Sequence, residues 1–123
     1  MKYLLTCHCK KIKIEVNFEG EISNLVKCNC SICKRKGAVM GIVGQDSLKI
    51  IEGKKYITNY KFHSKVANHF FCSICGIYTH HNPRRDPKLF GFNIGCIDEL
   101  DDKQFENIKK LDGKNHPLDN DGK

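Results

Sequence analysis

Apolar and polar positions alternate strictly over Lys11-Ile12-Lys13-Ile14-Glu15-Val16, the period of a half-buried strand. Residues 17–20 then read as a turn. Residues 38–43 form a short, mostly apolar run that predicts a buried strand, and 48–51 another, closed by the turn signal Glu52-Gly53-Lys54. Tyr56, Thr58, Tyr60 and Phe62 alternate with Ile57, Asn59, Lys61 and His63, and residues 66–71 lead directly into Cys72. Over 89–96, period two places Phe90, Phe92, Ile94 and Cys96 on one strand face. Helical spacing occurs only near 102–109, where Asp101 can cap, Gln104 follows three residues on, and Phe105 and Ile108 face inward. Residues 112–117 are turn-like, and the tail from about 118 is expected to be loose. The pattern predicts a mainly β chain of about eight short strands with at most one short helix.

Composition narrows this. The 123 residues suit a single domain spanning 1–123, and with 40% hydrophobic residues one modest core can form. There is no Trp, so seven Phe and four Tyr must anchor that core. No apolar run approaches the roughly 20 residues of a membrane helix. In MKYLLTCHCKK only Tyr3, Leu4 and Leu5 form an apolar stretch, far short of an export signal. The expectation is a cytoplasmic protein without a membrane partner.

In that compartment eight cysteines are expected to be reduced and to serve as metal ligands rather than as disulfides. They run C-x-C (Cys7, Cys9), C-x-C-x2-C (Cys28, Cys30, Cys33), C-x2-C (Cys72, Cys75) and a lone Cys96. On extended backbone both thiols of a C-x-C point the same way, which suits a shared metal. Cys72-Ser73-Ile74-Cys75-Gly76 has the form of a zinc knuckle, with Gly76 free to take a positive φ after the second thiolate. Two clusters of two make one closed site of four thiolates, leaving a cluster of three. Three protein ligands and one free position mark a catalytic zinc. Alternatively Cys96 or a histidine fills the fourth place and both sites are structural; counting alone leaves both open.

The order of these clusters, the stretch His69-Phe70-Phe71-Cys72-Ser73-Ile74-Cys75-Gly76, the run Asn93-Ile94-Gly95-Cys96-Ile97-Asp98 and the closing Asp112-Gly113-Lys114-Asn115-His116-Pro117 together resemble the glutathione-dependent formaldehyde-activating enzyme family, which includes the centromere protein V branch. The resemblance implies an Mss4-like, all-β fold of packed, zinc-stapled sheets. It implies that Cys7, Cys9, Cys72 and Cys75 hold a structural Zn2+, and that Cys28, Cys30 and Cys33 hold a second Zn2+ open to a thiol substrate. It further implies glutathione as co-substrate and carbon–sulfur lyase-type chemistry, the joining of a thiol to formaldehyde or another small aldehyde. Cys96 matches a family position outside both ligand sets and is expected to be a buried core thiol.

His8, between two ligands, should point away from the metal; His69, three residues before Cys72, could approach one. His80 and His81 are expected to be partly exposed structural residues, with a proton carrier as the alternative, and His116 to pack in the terminal motif. Basic residues cluster at Lys34, Arg35 and Lys36 and at Arg84 and Arg85. Arg35 and Arg84 are the candidates for glutathione carboxylates, since arginine pairs them bidentately. The formal charge is +7; two zinc ions bound by seven thiolates would leave about +4. The rival reading is a non-catalytic zinc module whose basic surface binds an acidic partner or nucleic acid. Stacking aromatics interleaved with the basic residues are absent, which argues against nucleic acid.

Overall fold

The computed structural model describes residues 1–20, 22–62, 67–84, 86–100 and 108–113. It is mainly β. In chain order the strands are β1 (Lys2–Thr6), β2 (Lys13–Asn17), β3 (Val26–Cys28), β4 (Met40–Gly44), β5 (Leu48–Glu52), β6 (Ile57–Tyr60), β7 (Asn68–Cys72), β8 (Tyr78–Asn82), β9 (Leu89–Asn93) and β10 (Lys109–Leu111), with one helix, α1 (Ser31–Lys36), after β3. β1, β2 and β5 form a three-stranded antiparallel sheet. The other seven form a sheet of order β10-β3-β4-β9-β8-β7-β6, antiparallel except for the β10–β3 pair.

The alternation that predicted β2 buries Ile14 and Val16, and β1 matches it with Tyr3 and Leu5. These residues meet Ile12, Val43, Leu48, Phe92, Ile94 and Ile97 in the main core, which holds Cys7, Cys72 and Cys96 as well. Fully burying a Phe or Ile stabilises by about 1.5–3 kcal/mol, so this layer holds the two sheets together. A second, smaller cluster of Val26, Cys33, Met40 and Tyr78 includes Ile42 at its margin. Along β4, Met40 and Ile42 belong to this cluster and Val43 to the main core, so the two lie on opposite faces of the large sheet.

Several expectations are corrected. The helix expected at 102–109 lies largely outside the described residues, and Lys109 begins a strand. The helix that is described, α1, is not among the elements the hydrophobic pattern predicts, although its end signals are in the sequence. Cys30 caps its start, its last turn is basic, and Gly37 closes it in the left-handed conformation (φ 63°), donating to Cys33 O. The run 89–96 is not one strand: β9 stops at Asn93, and residues 94–96 form a 3-10 turn. Likewise Tyr56 lies in a 3-10 turn before β6, and Phe62 lies past its end. Among the described residues no helix is long and apolar enough to cross a membrane.

Candidate metal centres

Two turns build the first centre. After β1 the chain turns over residues 7–10, with Lys10 N–H donating to Cys7 O at 3.1 Å and Lys10 itself at φ 65°. After β7, Gly76 N–H donates to Cys72 O at 2.8 Å, and Gly76 takes φ 77°, which its missing Cβ permits. Each turn places a positive-φ residue just behind its second cysteine. Cys7 and Cys9 thus converge through a turn and not through extended backbone.

The four sulfurs of Cys7, Cys9, Cys72 and Cys75 lie within 4.8 Å of one another. Cys9 Sγ is 3.6 Å from Cys7 Sγ and 3.7 Å from Cys72 Sγ. A tetrahedron with zinc–sulfur bonds of about 2.3 Å has edges of about 3.8 Å, so the donor set and spacing fit that ion. Backbone N–H groups point at the sulfurs, Ile12 N at 3.4 Å from Cys7 Sγ and Ile74 N at 3.4 Å from Cys72 Sγ, and so favour thiolates. Cys7 and Cys72 are buried, Cys9 and Cys75 half-buried.

The second centre comes from one short stretch. Cys28 ends β3, Cys30 caps α1, and Cys33 lies one turn into the helix, its N–H donating to Cys30 Sγ at 3.4 Å. The three sulfurs again lie within 4.8 Å of one another, and among the described residues no fourth histidine, cysteine or carboxylate joins them. S–H donation from Cys28 and Cys33 holds the Cys30 thiol well below the usual thiol range. The same sharing, with burial, pushes Cys33 up. The sharing thus favours a thiolate at Cys30 and a neutral thiol at Cys33.

The far end of the described chain closes over this stretch. β10 lies parallel to β3, Asn29 N–H donates to Leu111 O at 3.2 Å, and Asn29 Nδ2 donates to Asp112 Oδ1 at 3.1 Å. Gly113 is packed so closely that a Cβ there would run into Cys28 Sγ and lie 2.8 Å from Cys30 Cβ. The sequence pattern marks Asp112 and Gly113 only as turn-like.

Around the second centre the side chains fall differently from expectation. Arg35 is exposed and donates to Ser31 O at 2.9 Å on its own helix. Arg84 lies in the turn between β8 and β9, and Arg85 lies outside the described residues, as do His63 and His116. The basic residue that turns inward is Lys36. Its Nζ lies 2.9 Å from His69 Nδ1 and 3.8 Å from the Tyr78 ring centroid. Burial pulls its pKa down to about 8, partly offset by Cys33, Cys30 and Cys28. His69 therefore turns to Lys36, and burial lowers its pKa to about 4. The sequence signal for Lys36 was its spacing: positions 30, 33 and 36 share one helix face.

His80 and His81 are buried, not partly exposed. His81 Nδ1 is 2.6 Å from the Tyr78 hydroxyl, and His80 stacks on Phe70 at 4.4 Å. Burial lowers their pKa values to about 3 and about 4 respectively. His8 is exposed. Cys96 is buried in the main core, donates to Tyr78 O at 3.6 Å, and has its pKa pushed up to about 12 by burial; it belongs to neither sulfur group.

With that geometry in hand, the family model described as glutathione-dependent formaldehyde-activating enzyme matches residues 2–111. A Penicillium rubens protein provisionally named as such an enzyme is 22% identical over 106 residues, covering 83% of this chain and 55% of its own length. A Phaeosphaeria nodorum protein with the same name is 27% identical over 108 residues, again 83% of this chain and 55% of its own. This chain thus spans about half the length of these relatives. Among solved structures, a Rhodobacter sphaeroides protein superposes with a TM-score of 0.81 at 32% identity, covering 90% of this chain and 100% of that one.

Proposed function

On the premise that the chain belongs to the glutathione-dependent formaldehyde-activating enzyme family, we propose that it joins a thiol, glutathione in the first place, to formaldehyde or another small aldehyde, as a zinc-dependent lyase-type enzyme. Cys7, Cys9, Cys72 and Cys75 would hold a structural zinc, and Cys28, Cys30 and Cys33 a second one. The observation that carries this reading is the contrast between a sulfur group of four and one that ends at three among the described residues. When bound there, zinc lowers the pKa of a guest thiol so that its thiolate is present near neutral pH.

The chain's own part is to orient and to exclude. The first turn of α1 and the Gly113 backbone hold Cys28, Cys30 and Cys33 on one side of the site. The guest sulfur adds to the carbonyl carbon. A carbon–sulfur bond forms as the carbonyl π pair moves onto oxygen. The proton given up by the thiol ends on that oxygen, so thiol and aldehyde are conserved in the S-hydroxyalkyl adduct. Three thiolates make a poor Lewis acid of any cation they bind, which suits thiol activation better than carbonyl polarisation.

The test is exchange NMR of carbon-13 formaldehyde with glutathione. The zinc-loaded protein should accelerate adduct exchange at least tenfold over buffer and over the Cys30→Ser variant. Equal rates in all three samples exclude the reading.

A further inference from the structure

Lys36 is set apart from every other charged residue around the second centre. On α1 it lies three residues beyond Cys33 and on the same face, while Lys34 and Arg35 are exposed. Its ammonium rests over the ring of Tyr78, which belongs with Cys33 to the smaller hydrophobic cluster. Its hydrogen-bond partner is His69 Nδ1, and the His69 ring stacks on His81 at 5.8 Å, which is itself tied to the Tyr78 hydroxyl. Both direct contacts of the ammonium are to neutral groups, and the negative charge that acts on it is that of the three cysteines of the second centre. Among the described residues it pairs with no carboxylate, whereas Lys2, Lys10 and Lys13 pair with Glu15, Asp98 and Glu52 at the surface. An ammonium has three donors, and a ring face and one imidazole leave capacity for an anion.

We infer that Lys36 is a specificity-determining residue of the second centre, its ammonium receiving an anionic oxygen carried one or two carbons from the sulfur of the guest thiol. The alkoxide of a thiol–aldehyde adduct belongs to that class, so the ammonium favours the charge that develops as the carbon–sulfur bond forms. A charge-assisted bond to a half-buried ammonium outweighs its fully exposed counterpart. Tyr78 and His69 act here as positioning residues, holding an otherwise flexible side chain in place. The inference rests on the thiol reading of the site proposed above.

The experiment is thiol binding to the cobalt-substituted protein, followed by the thiolate-to-cobalt absorption band and needing no turnover. The probes are mercaptoacetate and 2-mercaptoethanol, similar in length but differing in the charge on oxygen. Wild-type protein should bind mercaptoacetate about tenfold more tightly. Lys36→Met should bring the two affinities together, and Lys36→Arg should keep most of the preference. No preference in wild type, or an undiminished one in Lys36→Met, overturns the inference while leaving the thiol reading in place. Binding of neither thiol to wild type overturns both. Should Lys36→Met lose its second metal, Lys36→Gln is measured instead; it keeps a polar side chain but removes the charge, and an unchanged preference there equally overturns the inference.

Discussion

The two sulfur groups lie on opposite faces of one sheet and are assembled over very different lengths of chain. Cys9 and Cys72 approach to 3.7 Å across 63 residues, and the turns that carry them leave strands of different sheets. The second group comes entirely from residues 28–33. Closing the longer loop costs about 2 kcal/mol more chain entropy than closing the shorter one, so a metal at the first group restrains far more of the unfolded chain. A metal there staples the two sheets; a metal at the second restrains one strand end and one helical turn. The lesson is a division of labour. A metal at the non-local group would carry stability, and the local group could lose or exchange a ligand without the fold following.

Breaking the comparison starts with its strongest arm. Cys72→Ser removes a fully buried sulfur from the main core and from the four-sulfur group. Because a structural zinc contributes on the order of 10 kcal/mol, the variant should show no cooperative thermal unfolding transition. Cys30→Ser should behave otherwise. Serine keeps the cap that Cys30 provides for α1, so the melting temperature should fall by no more than about 5 °C. Metal per chain by atomic emission should fall from two to one, and adduct exchange should drop to the buffer rate. If Cys30→Ser unfolds as Cys72→Ser does, the division of labour is wrong.

A smaller effect sharpens the second arm. Gly113→Ala places a methyl group against Cys28 Sγ. It should weaken the second metal about tenfold in a competition titration with a chelator, with the first unchanged. Equal weakening of both metals would mean that the last described residues brace the whole fold rather than one centre.

The smallest effect concerns pH. Burial holds the pKa values of His80 and His81 at about 4 and about 3, below the unfolded value of about 6.5. The unfolded chain therefore binds more protons than the folded one between those values. Stability is fully present above pH 6.5 and is lost as pH falls through that window. Between pH 7.5 and 6.0 each histidine should cost about 0.8 kcal/mol. Denaturant unfolding of zinc-loaded wild type and His80→Phe at both pH values isolates one of them, since metal release affects both proteins alike. Equal pH dependence in the two would show that His80 does not carry this effect.

Much of the fold can be read along the chain because it is local. Strict alternation marks β2, the apolar runs mark β4 and β5, and Gly76 marks the knuckle turn, each through the period or φ that a few neighbouring residues impose. Cysteine spacing likewise defines two pairs and a triplet, since only one or two residues between successive thiols constrain where they can reach. Other features follow from contacts between distant segments, which no local period encodes. That the two pairs converge depends on the three-stranded sheet packing on the seven-stranded one. That Gly113 seals the triplet depends on β10 pairing with β3, and that Lys36 turns inward while Arg35 does not depends on Tyr78 and His69 arriving from β8 and β7. By itself the sequence determined which thiols stand close along the chain; the tertiary structure decided which of them meet across it, because that choice rests on burial shared between sheets.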